Sequence, residues 1–187
     1  MKKNALQTPY IIKPFKYHNE IKDHMIDSIG YAEFFSPNHS ESETNITKAD
    51  WNLATNLDRD WVQFLIPKLG EEIQEMYAEL GFDILKITEI WFQQYLKGSE
   101  HGWHSHSGNW TNVYYLEFPE GSPKTQLIDP FDKKTIIEVD VKEGDLLVFP
   151  AFVMHRAPIN NSINRKTIVS YNIDADVSDV MYKEWQV

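Results

Sequence analysis

The chain has 187 residues, a net charge of −10 at pH 7, 42% hydrophobic and 13% aromatic residues, and no cysteine. That length and apolar content suit one domain with a sizeable core and argue against disorder throughout, while the missing cysteines exclude disulfides, thiolate metal ligands and a cysteine nucleophile. The acidic balance, with lysines and arginines scattered, argues against a face that neutralises phosphates, so no nucleic-acid partner is expected.

No apolar run is long enough for a membrane span, and MKKNALQTPY has no apolar stretch after its lysines, so it does not read as a signal peptide. The expectation is a cytoplasmic protein with no membrane association. In chain order, HNEIKDHMIDSIG places Ile21, Met25, Ile26 and Ile29 at helical spacing, and the polar stretch SPNHSESETNITKAD reads as a surface loop. A second helix starts at Asp58 or Asp60 and runs to about Leu80, with Trp61, Phe64, Leu65, Leu69, Ile73, Met76 and Leu80 recurring every three or four residues. Pro67 predicts a kink or break in it, and Gly81 a stop. Both helices read as scaffold.

From Ile84 the pattern becomes β-branched, aromatic and often alternating. Strands are predicted at 84–96, 111–118, 124–129, 135–141, 145–152 and 165–173. Helices followed by a run of strands with hairpin-length gaps predict a mainly β fold with N-terminal helices, and a jelly roll accommodates so many short strands. The organisation read from this is a single domain, 1–187, with a helical support region at 1–83, a β core at 84–176 and a C-terminal tail at 177–187.

Three of the seven histidines fall within GSEHGWHSHSGNW, residues 98–110. In extended backbone, His104 and His106 face the same side and can share one metal ion, while His101 sits at an odd offset from His104 and reads as a loop or supporting residue. Imidazole suits iron, zinc, copper and nickel. A facial site needs a third ligand from another strand, and His155, directly after the apolar strand EGDLLVFPAF, is the candidate. Arg165 follows ten residues later. Trp103, Trp110 and Phe152 read either as the mouth of a substrate site or as core.

Taken together, Tyr95, Gly98, the His104-Ser105-His106 pair, the Val113-Tyr114-Tyr115-Leu116 strand, the Gly144 to Pro150 strand, His155 and Arg165 resemble the pattern of the Fe(II)/2-oxoglutarate-dependent dioxygenases, in particular their prolyl-hydroxylase-like members. The resemblance spans roughly residues 87–174. It implies a double-stranded β-helix, Fe(II) and O₂ as cofactor and oxidant, 2-oxoglutarate as cosubstrate, and hydroxylation of a small-molecule or peptidyl substrate. It also implies that His104 and His155 are iron ligands, that Arg165 pairs with the distal carboxylate of 2-oxoglutarate with help from Thr167, and that the hydroxyls of Tyr95 and Tyr114 contact the cosubstrate. One position departs from the pattern: His106 stands where the family has a carboxylate. Either His106 ligates, giving three histidines as catalytic metal ligands, or a carboxylate such as Asp129 or Glu100 completes the set, or the third position stays open. Other readings of the residues remain: a cupin-type protein that does not use 2-oxoglutarate, a non-catalytic β-barrel binding module, or a three-histidine zinc hydrolase.

Overall fold

A computed structural model describes residues 1, 4, 6, 8–40 and 43–184. Residues 185–187 of the expected tail, and residues 2, 3, 5 and 7, lie outside them. The elements in chain order are β1 (Ile11–Pro14), α1 (His18–Tyr31), β2 (Asn38–His39), β3 (Thr44–Asn45), β4 (Lys48–Ala49), a 3₁₀ turn (Trp51–Leu53), α2 (Asp60–Glu79), β5 (Ile84–Tyr95), β6 (His101–His104), β7 (Trp110–Glu117), β8 (Gln126–Ile128), β9 (Ile136–Glu138), β10 (Asp145–Pro150), β11 (His155–Ala157), β12 (Lys166–Asp176) and α3 (Asp179–Glu184).

Two antiparallel sheets carry the architecture. One has six strands in the order β1-β10-β7-β12-β5-β4, the other four in the order β6-β11-β8-β9. This is the mainly β jelly-roll arrangement that the strand pattern predicted and the double-stranded β-helix that the resemblance implied. The outer face of the six-stranded sheet is covered by the helices: Ile21, Met25 and Ile29 of α1 and Trp61, Val62, Leu65, Leu69, Ile73 and Met76 of α2 pack on Ile90, Phe92, Tyr114, Leu146, Val148, Val169, Tyr171 and Ile173. A second, smaller core fills the space between the sheets, with Tyr95, Val113, Tyr115, Leu147, Phe149 and Ile168 meeting Leu127 and Ala157. Period-two alternation along β7, β10 and β12 produces this division, since successive side chains go to opposite faces.

The N-terminal region is less purely helical than expected. It supplies both edges of the large sheet, β1 against β10 and β4 against β5. Its short strands lack the length and periodicity that mark a strand in a sequence. Pro67 is accommodated inside α2, which runs unbroken in helical assignment from Asp60 to Glu79. Gly144, at φ +84°, turns the chain into β10, and a Cβ there would meet the His18 ring at 2.9 Å. Only glycine suits both the left-handed conformation and that close approach.

Candidate metal centre

His104 ends β6 and lies directly opposite His155, the first residue of β11. His106 follows two residues after His104, held by a hydrogen bond from its backbone N–H to the Ala151 carbonyl at 3.0 Å. The register of two antiparallel strands and the period of one thus bring three imidazoles together. One ring nitrogen of each lies within 4.8 Å of the others, and this is the one cluster of three or more metal-ligating side chains among the described residues.

The hydrogen bonds decide which nitrogens remain. His104 Nδ1 lies 2.7 Å from the Gly102 carbonyl and His155 Nδ1 3.0 Å from the Val153 carbonyl. A carbonyl oxygen only accepts, so each Nδ1 carries the proton and each Nε2 keeps its lone pair. His106 Nδ1 is 2.8 Å from Asn172 Oδ1, whose amide nitrogen donates to Glu89 Oε2 at 2.6 Å. That amide orientation makes Oδ1 an acceptor, so His106 follows the same rule. Such outer partners fix the tautomer and aim of metal-binding histidines. Burial pushes His104 down to about 4, holds His155 well below its ordinary value and lowers His106, so protons do not compete for the lone pairs at neutral pH. Three neutral imidazole nitrogens facing one point are a donor set for a divalent transition metal.

His101 stays outside the triad and stacks on His104, with ring centroids 3.7 Å apart. Neither carboxylate alternative reaches the site. Asp129 Oδ1 accepts from the Phe131 N–H at 2.7 Å, in the turn after β8, and Glu100 is tied through its backbone to Asn45. The nearest acidic group in the network is Glu89, one residue removed from His106 through Asn172. No motif marks it, because its relation to His106 depends on the pairing of β5 with β12 (Asn172 opposite Glu89).

The residues expected around 2-oxoglutarate divide. Tyr95 lies in the core between the sheets, lines the narrow cavity beneath the triad and donates its hydroxyl to Gln93 Oε1 at 3.2 Å. Tyr114 does not join it: it belongs to the helix-backed core, with its hydroxyl 2.8 Å from His18 Nδ1. Arg165 is also elsewhere. Its guanidinium makes a bidentate pair with Glu117, both contacts 2.8 Å, and Thr167 donates to the same carboxylate. Strand parity explains both corrections, because residues adjacent in a strand point to opposite faces.

Two cations lie near the inner cavity: Arg156 lines it and donates Nε to Gln126 Oε1 at 2.9 Å, and Lys166, 1% exposed, is buried beside Tyr95. Its Nζ donates to the Pro123 carbonyl at 2.9 Å and lies 5.3 Å from the ring centres of Tyr95 and Phe118. Burial pushes its ammonium down to about 7, with no carboxylate to offset it. Burial of a cation without a counterion is costly unless an anion arrives.

Two hollows adjoin the triad. The inner one is lined by Trp91, Gln93, Tyr95, Thr125 and Ser170 besides the histidines, and the outer cleft, about 320 Å³, by Trp51, Glu89, Trp91, His101 and Asn172 around His104 and His106. A larger hollow of about 880 Å³ beside β8 contains none of the three histidines and gathers no cluster of titratable groups. Trp103 stacks under Arg156, Trp110 lies in the helix-backed core and Phe152 is exposed, so the aromatic residues at the cleft are Trp51 and Trp91 instead.

Three metal-donor side chains thus meet on a double-stranded β-helix. In comparison with known proteins, residues 89–172 match the model of a family described as putative 2OG-Fe(II) oxygenase. Sequence pattern and fold agree on the Fe(II)/2-oxoglutarate-dependent oxygenases as the family this chain resembles. No curated protein sequence matches it. Among solved structures, a 2OG-Fe(II) oxygenase family oxidoreductase from Burkholderia pseudomallei has a TM-score of 0.69 at 12% identity, covering 88% of this chain and 84% of the other. A viral collagen prolyl hydroxylase from Paramecium Bursaria Chlorella virus-1, in a 2OG complex, has a TM-score of 0.62 at 17% identity, covering 88% and 94%. The non-haem alpha ketoglutarate dependent epimerase SnoN from nogalamycin biosynthesis has a TM-score of 0.67 at 12% identity, covering 89% and 77%. At these identities the likeness is one of fold. No helix among the described residues is long and apolar enough to cross a membrane.

Proposed function

We propose that the protein is a non-haem iron oxygenase that couples oxidative decarboxylation of 2-oxoglutarate to hydroxylation of a substrate. The observation that carries this reading is the convergence of three Nε2 lone pairs whose opposite ring nitrogens are all committed as donors. His104, His106 and His155 would hold Fe(II), with His106 in the place of the family's carboxylate. Three neutral ligands leave the ion's charge uncompensated in the first sphere, and Glu89 supplies a negative charge at one remove through Asn172.

The cosubstrate's distal carboxylate is assigned to Lys166 in place of Arg165. Lys166 lies between the sheets without an anionic partner, whereas Arg165 is already satisfied by Glu117. A dianionic oxo acid offers one carboxylate to the metal and the other to the ammonium, and the lysine then regains a charged partner in a dry site. Tyr95, against the same ammonium, shapes that end of the cavity. When bound, the metal and oxo acid supply the oxidising chemistry: O₂ and 2-oxoglutarate give succinate and carbon dioxide, and one oxygen atom enters a C–H bond of the substrate. The residues of the chain position the metal ligands, anchor the cosubstrate and exclude water from the space between the sheets.

The test is succinate formation from 2-oxoglutarate under O₂ with added Fe(II). The parent should form succinate and His155→Ala should not. Succinate formation equal in both would refute the assignment, and metal binding without any use of 2-oxoglutarate would favour a cupin-type protein.

A further inference from the structure

The outer cleft has a composition that selects for charge. Among the described residues its walls include no lysine or arginine, and Glu89 is their one formally acidic side chain. Glu89 Oε2 is taken by the Asn172 amide, and no basic side chain among the described residues forms an ion pair with the carboxylate. Two indoles share the cleft with it. Trp51 is fixed from below: the neighbouring Asp50 is fully buried and accepts from the Phe92 N–H at 2.8 Å and from the Trp61 indole at 3.2 Å, which pins the 3₁₀ turn onto β5. From Trp51 an aromatic wall continues to the triad, with the Trp51 and His101 rings 5.6 Å apart and His101 stacked on His104. Trp91 lies on the other side, against the His106 ring at 5.4 Å, and its buried indole N–H has no acceptor.

We propose that this cleft takes a substrate carrying a cationic nitrogen, an ammonium or guanidinium group, seated among Trp51, Trp91 and the unpaired oxygen of Glu89. The inference rests on the oxygenase reading, because it makes the cleft the approach to the metal. Tryptophan faces attract cations most strongly of the aromatic side chains, and a carboxylate adds a charge-assisted hydrogen bond. The chain's net charge of −10 favours encounter with a cation as well. An acceptor oxygen on the same substrate would satisfy the Trp91 N–H. An anionic substrate would meet Glu89 with no compensating base in the cleft.

The experiment uses the whole chain loaded with Ni(II) and 2-oxoglutarate, and two probes of nearly equal shape: n-butylguanidinium and neutral n-butylurea. Binding is followed by calorimetry. The cation should bind about tenfold or more tighter than the urea, given the size of the two interactions. Glu89→Gln keeps an amide oxygen for Asn172 and should reduce the cation's preference by about fivefold or more, and Trp51→Leu should weaken the cation more than the urea. Equal binding of the probes to the parent, no binding of either, or a cation preference unchanged by Glu89→Gln overturns the proposal. Metal and 2-oxoglutarate titrations on the same samples report separately on the oxygenase reading. If they succeed while the preference is absent, the substrate inference alone fails.

Discussion

Along β12, Val169, Tyr171 and Ile173 enter the helix-backed core, while Lys166, Ser170 and Asn172 enter the space between the sheets. The same alternation runs along β7, where Tyr114 and Leu116 face the helices and Thr111, Val113 and Tyr115 face inward. The outer face is a dry core that holds the strands in place. The inner face carries the metal-donor histidines and the polar side chains that orient them. Stability and function are therefore assigned to alternate residues of the same strands, so neighbouring substitutions should have unlike consequences.

The largest effect should come from the triad. His104→Ala or His155→Ala should abolish metal-dependent turnover while leaving the outer core intact, checked by metal analysis beside thermal unfolding. The sharpest neighbouring pair is Lys166 and Arg165. Loss of a charge-assisted contact worth about 1.5–3 kcal/mol predicts that Lys166→Met weakens 2-oxoglutarate binding by roughly 10- to 150-fold. Arg165→Ala should change that affinity by less than about twofold and cost at most about 1 kcal/mol of stability, as for a partly exposed pair. Reversed effects would return the anchor to Arg165.

Asn172 orients His106 from the inner face. Asn172→Ala should weaken metal binding about 10- to 100-fold, measured by competition with a chelator of known affinity. The pH dependence should follow Lys166. Its folded-state pKa, about 7, lies below its ordinary 10.5, so between those values the unfolded chain binds more protons and the metal-free protein should gain stability as pH rises. Binding of 2-oxoglutarate at pH 8–9 should then take up about one proton, read from calorimetry in buffers of different ionisation enthalpy, and Lys166→Met should remove both effects. The smallest change belongs to the outer face: Tyr114→Phe should lose the His18 contact, about 1 kcal/mol in a denaturation curve, with 2-oxoglutarate affinity unchanged.

Much of this division can be read in the sequence. The helical periodicity of Ile21 to Ile29 and Trp61 to Leu80 identified both covering helices, and alternation identified the long strands. The His104-Ser105-His106 pair was visible because extended backbone repeats every two residues. The anchor was harder. Arg165 and Lys166 are adjacent, and a spacing of ten residues after His155 points to Arg165, which pairs with Glu117, and not to Lys166, the anchor proposed above. A local signal existed: Lys166 shares parity with Ser170 and Asn172, whereas the more apolar Thr167, Val169, Tyr171 and Ile173 share the other face. Glu89, Trp51 and Trp91 were not legible as site residues, since they reach the cleft only through the pairing of β5 with β12 and the pinning of the 3₁₀ turn.

The central claim is that the triad and Lys166 together make a metal-dependent site for an oxo diacid. Anaerobic calorimetric titration of 2-oxoglutarate into the Fe(II)-loaded and metal-free protein tests it most directly. The account predicts saturable one-to-one binding that requires the metal and is lost in His104→Ala. Binding that is absent with metal present, or equal with and without it, would contradict the account.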